Sequence, residues 1–142
     1  MKVGSWIAIQ NLMLVSDPTA EGVIGAAIEV HRALGPGLLE SAYSACLCHE
    51  LTVRGFAFRA EVPLPLIYKG VTVDCGYRLD FVVENGLILE IKSVERVEPI
   101  HVAQVLTYLR LTRSRQALLL NFNVTSLRAG VRSYLGQGTR FP

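Results

Sequence analysis

The sequence predicts a mixed α/β domain, an α+β arrangement in which a central mixed sheet, antiparallel at first, is flanked by helices. Three observations carry that expectation. Two apolar stripes of helical period come first, between residues 18 and 54. Strand-like segments separated by turn residues follow, to about residue 93. A further helical segment then leads into QALLLNF, residues 116–122, short and nearly all apolar, like a strand buried on both faces.

Each element has its own signal. Asp17-Pro18 reads as an N-cap followed by proline at the first helical position. Val23, Ile24, Ala27, Ile28 and Leu34 recur at helical spacing, and Gly35-Pro36-Gly37 stops that helix. A second helix over residues 38–54 carries Leu39, Tyr43, Cys46, Leu47 and Leu51 along one side and ends at Gly55. Residues 61–68 are apolar, but Pro63 and Pro65 confine them to an edge or irregular strand. Lys69-Gly70 marks a turn, residues 71–83 a longer strand bent near Gly76, and residues 87–93 a strand pairing back on it. Pro99 opens a helix to about Thr112, and Thr125 or Ser126 caps a final helix to Leu135.

The 142 residues, 51% hydrophobic and 18% charged, fit one well-buried domain with little disorder. No apolar run approaches the ~18 residues of a spanning helix, so no membrane association is expected. Gln10 and Asn11 interrupt the mildly apolar opening, and no small-residue cleavage site follows. Residues 1–16 are therefore read as a loosely ordered extension before a single domain, 17–142, of a cytoplasmic protein. Three cysteines, Cys46, Cys48 and Cys75, have no framework spacing and read as small buried hydrophobes in a reducing compartment. Charge is uneven: residues 1–98 carry a balance of −4, whereas residues 99–142 hold six arginines and no acid. That basic third is either a solvated face or a footprint for a polyanion.

The stretch YRLDFVVENGLILEIKSVE, residues 77–95, carries the chemistry. A two-residue Asn85-Gly86 loop would set Asp80 opposite Ile91 and Phe81 opposite Glu90, mixing charge with apolar groups on both faces. A three-residue loop, with Gly86 left-handed in a bulge, sets Asp80 opposite Glu90. Leu79, Phe81, Val83, Leu87, Leu89 and Ile91 then share one face, and Asp80, Val82, Ile88, Glu90 and Lys92 the other. Burial fixes register, so the three-residue loop is expected. Opposed residues on one face have Cβ atoms about 4.5–5.5 Å apart, and two carboxylates there repel unless a cation or proton intervenes. Hard oxygen ligands suit Mg²⁺ or Mn²⁺. Lys92 lies beside them, to orient a water or steady charge on a phosphate. A plain cross-strand ion pair is the competing account.

Asp80, nine residues, then Glu90-Ile91-Lys92 resembles the core motif of the PD-(D/E)xK nuclease superfamily. More closely, the chain resembles the bacterial family named for its GxxExxY motif, here Gly37-Leu38-Leu39-Glu40-Ser41-Ala42-Tyr43 after IEVHRALGPG. The likeness continues through VPLPLIYKGVTVDCGYRLDFVV, LEIKSVE, HVAQVLTYLRLT and LLLNFNV, about residues 20–135. It implies a restriction-endonuclease-like core, a metal held by Asp80, Glu90 and the Ile91 carbonyl, and Lys92 beside the attacking water. It also implies that Glu40, on the first core helix, faces the site. Tyr43, three residues on, can share its face. Gln104 and Tyr108, at i and i+4, match the QxxxY motif of RecB-like nucleases, to buttress the lysine or touch a phosphate. His101 on the same helix has a capping or supporting role, or is a satisfied structural histidine.

These expectations converge on a metal-dependent hydrolase, a nuclease cutting nucleic-acid phosphodiester bonds. By the superfamily's habit the substrate is DNA rather than RNA, with little sequence preference. Arg110, Arg113 and Arg115 are expected to hold its backbone. A homodimer through the exposed edge near Pro63 and Pro65 is a further possibility. The alternative functions are a non-catalytic nucleic-acid-binding or interaction module on the same fold, and a small-molecule phosphohydrolase.

Overall fold

Local signals set the helices. In the computed structural model, which describes residues 17–136, Asp17 Oδ1 accepts from the amides of Thr19 (2.9 Å) and Ala20 (3.3 Å) and so starts α1, Pro18–Leu34. Glu21 in its first turn and His31 and Arg32 in its last suit the helix dipole, and Gly35 (φ 73°) ends it. The helix α2, Glu40–Val53, buries Tyr43, Leu47 and Leu51. The expected stripe is narrower than its sequence spacing: Leu39 is 76% exposed and Cys46 is also exposed. Nor are the other cysteines buried: Cys75 is exposed and Cys48 half-buried, and all three are free thiols.

The strands are β1 (Phe58–Pro63), β2 (Leu66–Tyr68), β3 (Val71–Val73), β4 (Arg78–Val83), β5 (Leu87–Lys92), β6 (Gln116–Asn121) and β7 (Val131–Leu135). Five of them form one sheet in the order β1-β4-β5-β6-β7. All neighbours are antiparallel except β5 and β6, which are parallel and joined by the crossover helix α3, Pro99–Thr112. The sheet separates two apolar layers. On one side α1 and α2 pack on Phe81, Val83, Leu89, Ile91, Leu118 and Leu120. On the other, Val105, Tyr108 and Leu109 of α3 pack on Ile88, Ala117, Leu119 and Tyr134. Every residue of β6 is buried, as its unbroken apolar sequence requires.

Two elements differ from expectation. Residues 71–83 are not one bent strand, because Lys69 (φ 49°) and Gly70 (φ 80°) close a two-residue turn that pairs β3 with β2 as a separate hairpin. Asp74 Oδ1 then accepts from the Gly76 amide (3.0 Å), and Gly76 (φ 76°) breaks the extended run before β4. The final helix is absent as well: Leu127–Gly130 is one 3₁₀ turn, and the chain continues as β7. Pairing with the outer edge of β6 satisfies backbone groups there and buries Tyr134. Gly130 permits the return, since a Cβ at that position would lie 2.1 Å from the Asn121 carbonyl oxygen.

No described helix is long and apolar enough to cross a membrane. The extension expected over residues 1–16, and residues 137–142, lie outside the described residues.

Candidate active site

The hairpin adopts the register that burial demands. Phe81 pairs with Leu89, Val82 with Ile88 and Val83 with Leu87, leaving Glu84-Asn85-Gly86 as the loop. Both Gly86 (φ 119°) and Glu84 (φ 52°) take positive φ there. Continued by one pair, this register sets Asp80 opposite Glu90. The backbone ladder does not continue, however. Asp80 Oδ2 accepts the Ile91 amide at 2.8 Å, in place of a carbonyl from β4. On the other side of β4, Glu61 has φ 51° and the pairing with β1 skips Asp80. Asp80 therefore sits where β4 loosens from both neighbours. The same distortion moves Leu79 away from the face of Phe81 and into the α3 layer, with Ile88 and Tyr108.

Glu90 is only 5% exposed. Burial, and then the Asp80 charge, push its carboxyl up to about 8, against the opposing pull of Lys92. Asp80 is raised too, chiefly by burial, with the Ile91 amide and Lys92 lowering it and Glu40 raising it. Lys92 Nζ stands 3.4 Å from Glu90 Oε2 and donates to Gln104 Oε1 at 3.1 Å. Glu90 Oε1 is buried without a hydrogen-bond partner. Tyr108 is buried beside them, its hydroxyl pushed up by burial and by the charges of Glu90 and Asp80, while a hydrogen bond with Gln104 opposes the shift. Side chains from β4, β5 and α3 thus converge on one end of the sheet. There, the fold and the residues agree with one comparison: a family model of the PD-(D/E)XK nuclease superfamily matches residues 17–134.

The chain belongs to the PD-(D/E)XK nuclease superfamily.

Its mixed five-stranded sheet with helices on both faces is consistent with the restriction-endonuclease-like core of that superfamily. No curated protein and no solved structure gives a match. Superfamily nucleases generally use divalent metals, and the donor set here can be tested for one. Among the described residues no three His, Cys, Asp or Glu side chains gather into a cage. What exists is a pair of hard carboxylates, one with an unsatisfied buried oxygen. The Ile91 carbonyl also points along the strand edge that its amide faces, towards Asp80. That set fits an oxygen-seeking cation which keeps several waters, as Mg²⁺ does.

The remaining predicted residues divide. Glu40 opens α2 at the site and is close enough to raise both Asp80 and Glu90. Tyr43 does not share its face. It is fully buried, donates to the Gly35 carbonyl (2.5 Å), accepts from the Leu38 amide (3.2 Å) and stacks on Phe122 at 4.5 Å. The turn needs that hydroxyl, so the helix points Tyr43 inward. His101 caps α3: its Nδ1 accepts from the Glu98 amide at 2.9 Å, completing a capping box. The arginines expected along the substrate backbone are not among the side chains that meet at the carboxylates. Because α3 runs back from the site, Arg110 is on its last turn and Arg113 (φ 61°) at its C-cap. Arg115 precedes β6 level with the hairpin loop, beside Glu84 and Gly86. At ~3.3 Å per residue that is about 13 Å along the sheet from Glu90.

Sequence reasoning missed several residues. Asn121, buried at the end of β6, accepts from the amides of Val94 (3.0 Å) and Asn123 (3.2 Å) and donates to the Val94 carbonyl (3.0 Å). It thereby fixes the chain just after Lys92. Ser93 Oγ donates to the Leu38 carbonyl at 2.6 Å, tying that same segment to the start of α2. Ser41, Ser44 and Arg78 line a cavity beside Asp80. One sequence signal pointed there: Ser44 is one helical turn beyond Glu40.

Proposed function

We propose that this chain is a Mg²⁺- or Mn²⁺-dependent nuclease that hydrolyses phosphodiester bonds, in DNA rather than RNA, with little sequence preference. The observation that carries this reading is the buried Glu90 carboxyl, its Oε1 unpartnered, beside Asp80 and Lys92. A proton shared with Asp80 or a bound cation completes such an oxygen, and the superfamily's general use of divalent metals favours the cation. Asp80, Glu90 and the Ile91 carbonyl would hold the cation, which when bound lowers the pKa of a water and offsets negative charge on the phosphate.

The chain's own residues do the rest. The Ile91 amide orients Asp80, so its second oxygen is free to face Glu90. Gln104 restrains the Lys92 ammonium, leaving it to hold the attacking water and to steady charge growing on the phosphoryl oxygens. Water adds to phosphorus in line, the bond to the 3′ oxygen breaks, and that oxygen takes up a proton to leave a hydroxyl. Glu40 borders the reacting centre from α2. Within the superfamily the GxxExxY family is the place this reading gives the chain, in a bacterial cytoplasm. The outer edge of β1 is the surface for any second copy.

The test is cleavage of labelled single- and double-stranded DNA and RNA with Mn²⁺, Mg²⁺ or EDTA. Cutting is expected on DNA with either metal and none in EDTA. Asp80→Ala and Lys92→Ala should each lower the rate by on the order of 10²–10⁴-fold. A protein that binds no divalent cation by calorimetry and cuts nothing is instead a binding module on a nuclease fold.

A further inference from the structure

On the α2 side of Asp80 lies a cavity of about 470 Å³ that the hydrolytic steps above do not use. Ser41 and Ser44 of α2 form one wall, Glu61 and Arg78 of β1 and β4 another, and Asp80 and Glu40 border its reactive end. Its volume falls within the range of small-ligand pockets, ~300–1,000 Å³, and is far too small for a duplex.

The lining says what would fit. Arg78 is exposed and, among the described residues, has no ion-pair partner, although three carboxylates, Glu40, Glu61 and Asp80, border the same space. It is a free cation on the same strand as Asp80, two residues before it, and lines the same cavity. The carboxylates of Glu40, Glu61 and Asp80 oppose an anion, so a phosphate is favoured only where it meets the Arg78 guanidinium. Ser41 and Ser44 offer hydroxyls to a neutral polar group. The cavity's one aromatic, Phe81, is buried in the core beneath it and gives no open ring on which a base could stack.

We propose that this cavity is the subsite for the nucleotide adjoining the cut bond, with its phosphate on Arg78 and its sugar against Ser41 and Ser44, in a strand unpaired at that step. This rests on the nuclease reading and adds a substrate class to it: a single strand, or a duplex end that frays. The subsite grips backbone and ignores the base, so it discriminates by strandedness and not by sequence.

Fluorescence anisotropy with an end-labelled oligonucleotide, free or annealed into a blunt duplex, tests this. Ca²⁺ is used in place of Mg²⁺, and cleavage is followed in parallel with Mn²⁺. The single strand should bind more tightly than the duplex. Arg78→Gln should weaken single-strand binding about tenfold, the scale of one charge-assisted phosphate contact, and reduce the salt slope by ~0.7. Arg78→Lys should keep most of the affinity, and Arg54→Gln, at the far end of α2 from Glu40, should leave the slope unchanged. Ser44→Phe, which fills the cavity, should weaken strand binding while leaving Mn²⁺ affinity intact. Unchanged affinity and slope in both Arg78→Gln and Ser44→Phe, or duplex bound as tightly as single strand, overturns the subsite; if the native protein still cuts, the nuclease reading survives. A native protein that neither binds nor cuts either oligonucleotide overturns both.

Discussion

Lys92 is held from two directions, by the Glu90 carboxylate at 3.4 Å and the Gln104 amide oxygen at 3.1 Å. A flexible four-carbon side chain is of use to a reaction only when its ammonium has one address. Gln104 supplies that address without adding charge. Gln104→Leu should therefore lower kcat by roughly 10–100-fold, as loss of a supporting contact does, with KM and divalent-cation affinity little changed. Gln104→Glu, which keeps the acceptor oxygen, should recover part of the loss, and steady-state kinetics with Mn²⁺ will show the split. At this scale Asp80, Glu90 and Lys92 were legible, because an apolar face dictates the hairpin register and the register dictates which charges meet. Arg78 was not. Nothing in its neighbours says that a cavity stands in front of it, since the opposite wall comes from a helix some forty residues earlier in the chain.

The α1–α2 junction shows how an element can absorb a residue that motif spacing assigns to chemistry. Gly35 (φ 73°) and Gly37 (φ 98°) turn the chain sharply, and the turn's Gly35 carbonyl and Leu38 amide both use the Tyr43 hydroxyl. Tyr43→Phe removes one donor and one acceptor at a buried site, which should destabilise the fold by about 1–3 kcal/mol in chemical denaturation. Divalent-cation affinity, measured by calorimetry, should stay within about twofold, because that hydroxyl lies in the turn and not among the carboxylates. A tyrosine contacting substrate would give the reverse pattern, full stability with weakened substrate binding. The helices and the central hairpin could be read from caps and periodicity, as Asp17 and the Val82–Ile88 pairing illustrate. Residues 125–135 could not. Their sequence accommodates a capped helix, and only the unpaired edge of β6 made VRSYL a strand.

For the whole molecule, the buried carboxylates link stability to pH and to metal. Glu90 keeps its proton to about 8 in the folded chain, whereas an unfolded glutamate loses it near 4.5. Between those values the folded state binds more protons, so its stability is greatest below the window and falls as pH rises through it. Asp80 is shifted in the same direction. Thermal melts in EDTA should accordingly drop from pH 5 to pH 8.5. Glu90→Gln, which cannot ionise, should flatten that drop and melt higher than the native protein at pH 8. Adding Mg²⁺ or Mn²⁺ should raise the native melting point by several degrees, since a cation at 100 times its Kd stabilises by ~2.7 kcal/mol. The variant should gain much less. On the proposed reading, the same linkage should make cation affinity increase with pH up to about 8, because a cation held by Glu90 would displace its proton.

What the sequence determined by itself was local or pairwise: where α1 begins, that Asp80 faces Glu90, and that residues 116–122 are buried on both sides. Caps, turn residues and alternation act over a few positions, so their consequences can be read without the rest of the chain. Only the tertiary structure decided that Tyr43 closes a turn, that Arg115 stands at the opposite end of the sheet from Glu90, and that Arg78 faces a cavity beneath α2. Each of these depends on which end of the sheet a segment reaches. The crossover through α3 fixes that, because a parallel partner for β5 must begin again at the hairpin end, which carries Arg113 and Arg115 away from the carboxylates, whereas Arg132 returns on β7 level with Glu90.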